Sequence, residues 1–217
     1  LANGIPIDEP TVPKKTGYSG EKGSEYDIAS LTDIRVDAIY SNIQYSISFV
    51  VEGKTKQEIE VPEQMLSVLY DVDTVTMPIV THKGWKFDGT WKDQYGRVYN
   101  AGDDYKNLTN INGENLILTT TLTPIKYNVY FVVNFEGLGE ITVESYKDVR
   151  YDLDEILIYS HNRTGFRTVS QWTNSVSGNV IDVGNSYGMG YSLTDVDGGD
   201  VYYWANAYQI TYTVRYV

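Results

Sequence analysis

Acidic side chains are the first carriers of chemistry to weigh in this sequence. The stretch "DVDGGD" puts Asp195, Asp197 and Asp200 into one short loop. Carboxylates that close are the ligand type Ca²⁺ prefers. Two further carboxylate pairs stand in Tyr70-Asp71-Val72-Asp73 and Tyr151-Asp152-Leu153-Asp154. Paired carboxylates can divide the work of a general acid and a general base. The only histidines are His82 and His161, and there is no cysteine. Neither a catalytic triad nor a zinc site can be assembled from that inventory.

Each acidic cluster also has a plain structural reading. "DVDGGD" consists largely of turn-forming residues, and a related loop elsewhere in the chain, "NINGEN" (110–115), lacks the three aspartates. The expectation there is a hairpin turn with no metal ion. The Asp pairs occur twice in the same context, and a duplicated active site is a weaker reading than a shared structural turn. The expectation is therefore no enzyme, no catalytic residue and no cofactor. The histidines sit 2 and 4 residues before Gly84 and Gly165, so they are not equivalent, and a loop role is expected for each.

Composition narrows the partners. The net charge is −12, and such a surface repels phosphate backbones and anionic membranes. No nucleic-acid partner is expected. No apolar run approaches the roughly 18 residues that span a bilayer, so no direct membrane insertion is expected either. The opening "LANGIPIDEP" has no basic start and no apolar segment. It reads as a processed or excised piece of a longer protein. "VPKKTG" (12–17) faintly resembles a sorting signal, but no apolar tail follows it. Aromatic usage is skewed, with 20 Tyr against 5 Phe and 4 Trp, which suits pleated, half-buried strands.

The elements that position these residues are copies of one unit. Gly84-Trp85 and Gly165-Phe166 anchor the comparison. In both copies the Tyr-Asp-x-Asp element begins 14 residues earlier and a Trp (Trp91, Trp172) follows 7 residues later. "GRVYNAGDDY" (96–105) is answered by "GNVIDVGNSY" (178–187), and "LTNINGENLILTT" by "LTDVDGGDVYYWA". A third, partial copy is read near the N-terminus, where "GYSGEKGSEY" carries Gly17, Gly23 and Tyr26 at the offsets of Gly96, Gly102 and Tyr105. Self-similarity at a fixed period marks a repeat array. The expected division is the second half of a truncated unit (1–41), complete units at 42–126 and 127–208, and an opening strand at 209–217.

Each unit opens with period-two alternation, as in Tyr127, Val129, Phe131 and Val133, which predicts a strand with one buried face. Gly-rich "EGLGE" and alternating "ITVESY" then predict a hairpin. Met65, Val68 and Leu69 are spaced i, i+3 and i+4, which predicts one or two helical turns over 62–71. The expected fold is mainly β (α+β), with four or five short strands and at most one short helix per unit. Trp91 and Trp172 are expected at the core centres.

These stretches resemble the Listeria–Bacteroides repeat, the internalin-type B-repeat of bacterial surface proteins. Its YTVTF opening strand is similar to "YSISF" and "YNVYF", its GYTFxGW segment to "GWKFDGTW" and "GFRTVSQW", and its GxxYxxGDSY loop to "GRVYNAGDDY". Both copies depart from it by one extra residue before the Trp and by lacking the closing Trp. The resemblance implies tandem β-grasp-like units in a secreted or cell-wall-attached bacterial protein, acting as spacer, stalk and adhesion module. Implied partners are neighbouring repeats and host or cell-surface proteins or glycans. The alternative is a carbohydrate-binding module. Lateral binding would fall to aromatics the two units do not share, and Tyr95 and Trp204 are the candidates.

Overall fold

Burial alternates along the strands at 44–49, 115–122 and 126–131, and that pattern sets the architecture. The computed structural model describes residues 11–22, 37–53, 58–184, 186–187 and 193–217, and the chain is mainly β. The first strands are β1 (Tyr18–Lys22), β2 (Ala38–Asn42), β3 (Gln44–Glu52), β4 (Met65–Leu69) and β5 (Val75–Thr76). Next come β6 (Trp85–Phe87), β7 (Thr90–Asp93), β8 (Val98–Asn100), β9 (Asp104–Tyr105) and β10 (Asn115–Pro124). The remaining strands are β11 (Lys126–Phe135), β12 (Gly139–Arg150), β13 (Ile156–Leu157), β14 (Gln171–Asn174), β15 (Val180–Asp182), β16 (Ser186–Tyr187) and β17 (Asp200–Ala207).

The chain forms two compact units. The first comprises residues 1–52, 61–80 and 89–120, and the second residues 53–60, 81–88 and 121–217. In the first, the main sheet has the order β4-β3-β10-β7-β8. Tyr45, Ile47 and Phe49 of β3 and Leu116 and Leu118 of β10 turn inward, and Trp91 of β7 is fully buried at 0% exposure. Phe49 meets Trp91 edge-on at 5.0 Å between ring centroids. A two-stranded ladder, β5 with β9, lies beside this sheet.

The second unit has the order β12-β11-β17-β14-β15, with β13 and β16 as its small ladder. Its two central strands, β11 and β17, run parallel over Asn128↔Asp200 to Phe135↔Ala207. Val129, Phe131, Val133, Phe135, Val201 and Tyr203 pack around Trp172, which is 2% exposed. Phe131 meets Trp172 edge-on at 5.0 Å. Each indole N–H donates to a carbonyl 13 residues earlier, Trp91 to Pro78 at 2.7 Å and Trp172 to Tyr159 at 3.1 Å.

The helical expectation over 62–71 is overturned. Met65–Leu69 is strand β4, paired antiparallel with β3 through Tyr45↔Val68 and Ile47↔Met65, and no helix occurs among the described residues. Only Val68 of this segment is buried. The i, i+3, i+4 spacing was accidental, and the hydrogen bonds offered by β3 decide the conformation. The Gly-aromatic segment is also divided, since β6 and β7 are separate strands.

The N-terminal copy aligns differently from the sequence expectation. Gly17 takes the place of Gly84, not of Gly96. The carbonyl of Gly17 accepts from the Ile43 N–H at 3.0 Å, and the Ile43 carbonyl accepts from Tyr70 at 3.0 Å. The Gly84 carbonyl accepts from Ile125 at 2.9 Å, and the Ile125 carbonyl accepts from Tyr151 at 3.0 Å. A Cβ on Gly17 would lie 2.1 Å from the Tyr70 ring, and one on Gly84 would lie 2.3 Å from the Tyr151 ring. Both glycines have positive φ, 82° and 74°. Glycine is required twice over at each position, for the backbone and for the ring above it. Each compact unit thus takes a short antiparallel strand pair, opening on a Gly-aromatic step, that precedes its own sheet: β1 with β2 in the first, and β6 with the end of β10 in the second. Gly23, Tyr26 and the stretch around Leu31 lie outside the described residues.

Candidate functional site

The Tyr-Asp-x-Asp element is a turn in both units. Asp71 and Asp152 adopt left-handed backbone conformations, with φ of 63° and 57°. Asp tolerates that region better than most residues because its short polar side chain bonds locally. The second Asp of each pair closes the turn. Asp73 Oδ2 accepts from the Leu69 N–H, and Asp154 Oδ2 from the Arg150 N–H, each at 2.7 Å. The Asp71 carboxylate accepts from Tyr18 Oη at 3.0 Å and from Asn107 Nδ2 at 2.7 Å. Asp152 is buried at 1% exposure. The second carboxylate of each pair therefore closes the turn, while the first stands at its left-handed position.

The loop of Asp195, Asp197 and Asp200 also has a counterpart. Asp197 Oδ1 accepts from the Lys126 N–H at 3.1 Å, as Asn112 Oδ1 accepts from the Gln44 N–H at 3.0 Å. The Gly198 N–H donates to the Lys126 carbonyl and the Gly113 N–H to the Gln44 carbonyl, each at 2.7 Å. Both loops clamp the start of their unit's first long strand, and an amide oxygen serves as well as a carboxylate oxygen. The Asp197 carboxylate also pairs with the Lys86 ammonium, which, with the Lys126 N–H, holds it below the ordinary carboxylate range. Asp200 accepts from Asn128 Nδ2 at 2.8 Å. Among the described residues no group of three or more His, Asp or Glu side chains is placed to hold a metal ion.

His82 and His161 are both half-buried. Trp85 donates its backbone N–H to the His82 carbonyl at 3.0 Å. His161 exchanges two backbone hydrogen bonds with Val169 and lies edge-on to Phe135. His161 also lines a cavity of about 80 Å³ with Phe131, Glu144 and Trp172. That is room for a few waters and no more.

A buried carboxylate the motif search missed is Asp93, in the β7–β8 turn. Its Oδ1 accepts from the Tyr95 and Arg97 N–H groups, each at 2.9 Å. Its Oδ2 accepts from Arg97 Nε at 2.6 Å and Tyr99 Oη at 3.0 Å. Burial alone would raise the Asp93 carboxyl, but the Arg97 hydrogen bonds and those from Tyr99 and Tyr95 outweigh it and hold the group below 3.8. The second unit has Asn174 here, accepting from Val176 and Ser177 at 2.9 Å each. The position serves a turn in both units, with charge in only one.

A depressed carboxyl stabilises the fold above its unfolded value and loses that contribution as pH falls through the folded value. Asp93→Asn is therefore expected to cost about 1–2 kcal/mol at neutral pH and progressively less in acid, as pH falls through the folded value of the carboxyl. Urea unfolding at neutral and at acid pH checks this. An equal cost at both would show that the charge contributes nothing.

The two aromatic candidates fall in different units. Tyr95 is 59% exposed, donates its hydroxyl to Glu114, and has the Arg97 guanidinium 5.6 Å from its ring centroid. It stands on a turn, and no other aromatic ring among the described residues stacks on it. Trp204 is on the outer face of the second sheet, in a row of rings. Tyr130 and Tyr202 stack at 4.9 Å and 13°, and Tyr202 and Trp204 at 6.4 Å and 29°. Lys147 Nζ sits 3.9 Å over Tyr130 and closes that end. At the other end Trp204 lines a groove of about 670 Å³. Tyr130, Tyr202 and Lys147 were not singled out from sequence. The alternation marks Tyr130 and Tyr202 as outward-facing, but their stacking follows only from the side-by-side pairing of β11 and β17.

No protein-family model matches the chain, and no curated protein matches it.

Proposed function

We propose that the chain is a non-enzymatic, tandem-repeat spacer of a secreted or wall-attached bacterial surface protein, built from β-grasp-like units related to the Listeria–Bacteroides repeat. The observation that carries this reading is the parallel pairing of β11 with β17 at the centre of the second sheet. These are the first and last long strands of the unit. Tension entering at the start of β11 and leaving at the end of β17 pulls the two strands in opposite directions along their length. All the hydrogen bonds between them are then loaded together, in shear. Such a unit resists extension, which is what a stalk requires. The twofold Gly–Tyr socket supports the tandem arrangement, since each unit is completed by an antiparallel strand pair that precedes it. The Asp pairs serve turns, which favours a structural role over catalysis. Neighbouring repeats are the primary partners, and host or cell-surface proteins or glycans are the classes of lateral partner.

The chain has no cysteine, so attachment points can be introduced cleanly for single-molecule pulling. With Lys126→Cys and Tyr208→Cys as handles, the second unit is expected to unfold at clearly higher force than with Leu138→Cys and Tyr208→Cys. The second pair lies at one end of the central strands and peels their bonds apart in turn. Equal forces in the two geometries would contradict a tension-bearing role.

A further inference from the structure

We propose that the outer sheet face of the second unit binds a neutral glycan, with Trp204 as its stacking platform. The two units act as an internal control for this reading. Matching the copies as in the sequence places Ser48 opposite Tyr130, Ile117 opposite Tyr202 and Thr119 opposite Trp204. In the first unit Ser48 Oγ hydrogen-bonds Asn115 Oδ1 at 3.0 Å, and the corresponding positions carry no ring. The fold therefore does not need the aromatic row. All three rings are half-buried and lie on the face opposite Phe131 and Tyr203, so the core does not need them either.

The row is pre-ordered. Tyr202 is stacked between Tyr130 and Trp204, and Lys147 covers the far side of Tyr130. A ring held by its neighbours loses little freedom when a ligand lies on it. Beyond Trp204 the groove offers Asn134, Gln171 and Asn206 as amides, Thr173 as a hydroxyl and Glu140 as the lone carboxylate. Amides both donate and accept, which matches hydroxyl groups on a sugar. None of the described lining residues is Lys or Arg, and the chain carries a net charge of −12. Sulfated, phosphorylated or uronic-acid chains are thus disfavoured, and an uncharged polyhydroxyl ligand fits. A peptide strand fits less well. The groove lies mainly over β11, β17 and β14, inner strands that pair with one another, so a peptide laid along it would cover the sheet face and not extend the sheet as an added strand. This reading stands whether or not the unit bears tension.

The test is calorimetric titration of the whole chain with cellohexaose, chitohexaose and maltohexaose, with hexagalacturonate as the anionic comparison. At least one neutral oligosaccharide is expected to bind. Trp204→Ala is expected to weaken it at least about tenfold, while Trp204→Tyr, which keeps a ring, retains most of the affinity. If Trp204→Ala lowers the melting temperature, Asn206→Ala replaces it, with a smaller loss of the same sign expected. Silence of all three neutral sugars would overturn the proposal. So would binding that survives Trp204→Ala, tighter binding of hexagalacturonate, or binding only of an unstructured peptide.

Discussion

Trp172→Ala is expected to destabilise the second unit by about 3–5 kcal/mol, the range for deleting a large buried aromatic. Trp172 is 2% exposed and contacts Phe131 edge-on, within a core that includes Val129, Val133 and Val201. Alanine would leave a cavity beneath β11 and β17, and the two central strands cannot close it without breaking their parallel register. The variant would also leave the Tyr159 carbonyl without the indole N–H that meets it at 3.1 Å. Differential scanning calorimetry should show one transition moved to lower temperature and one retained. A single unshifted transition would mean that Trp172 does not hold that core.

Gly84→Ala has the second large effect, through a different cause. The residue sits at φ of 74°, and its new Cβ would lie 2.3 Å from Tyr151 ring atoms. Left-handed backbone costs a non-glycine residue about 1–2 kcal/mol, and forcing atoms into a filled space adds about 1–3 kcal/mol. Gly178 is the control. It has φ of 70°, yet nothing among the described residues lies within 4 Å of where its Cβ would be. Gly178→Ala should therefore cost only the backbone portion, about 1 kcal/mol. The difference between the two variants measures the ring contact. Equal losses would show that the Tyr151 ring moves aside freely and that the socket is not a specific joint.

Much of the sheet was legible in the sequence because burial alternates strictly where one face meets a core. Tyr45, Ile47 and Phe49, and Tyr127 to Phe135, could be read directly as inward-facing strands. Trp91 and Trp172 were legible as core centres because they keep the same spacing from their glycines. The segment 62–71 was not, because a short apolar spacing fits either a helix or a strand until its neighbour is known. Only the exposed edge of β3 decides between them. The Gly17 alignment was obscured because its offsets to Gly23 and Tyr26 happen to equal those of the Gly96 motif. What distinguishes Gly17 is the Tyr70 ring above it, 53 residues away, and no local pattern encodes that. The parallel pairing of β11 with β17 is likewise a property of topology. At the candidate site, Trp204 was legible as an aromatic the copies do not share. The stack that orders it was not, because Tyr130 and Tyr202 look like ordinary strand tyrosines until the two strands lie side by side.

The pairing of each sheet with the antiparallel strand pair that precedes it is the point on which the account rests. Amide hydrogen exchange on the Trp172→Ala variant tests it most directly. Residues 85–87 and 122–124 are expected to lose protection together with β11 and β17, while β3 and β7, including 90–93, keep theirs. If 85–87 instead stayed protected along with 90–93, this strand pair would belong to the first unit and the account would be wrong.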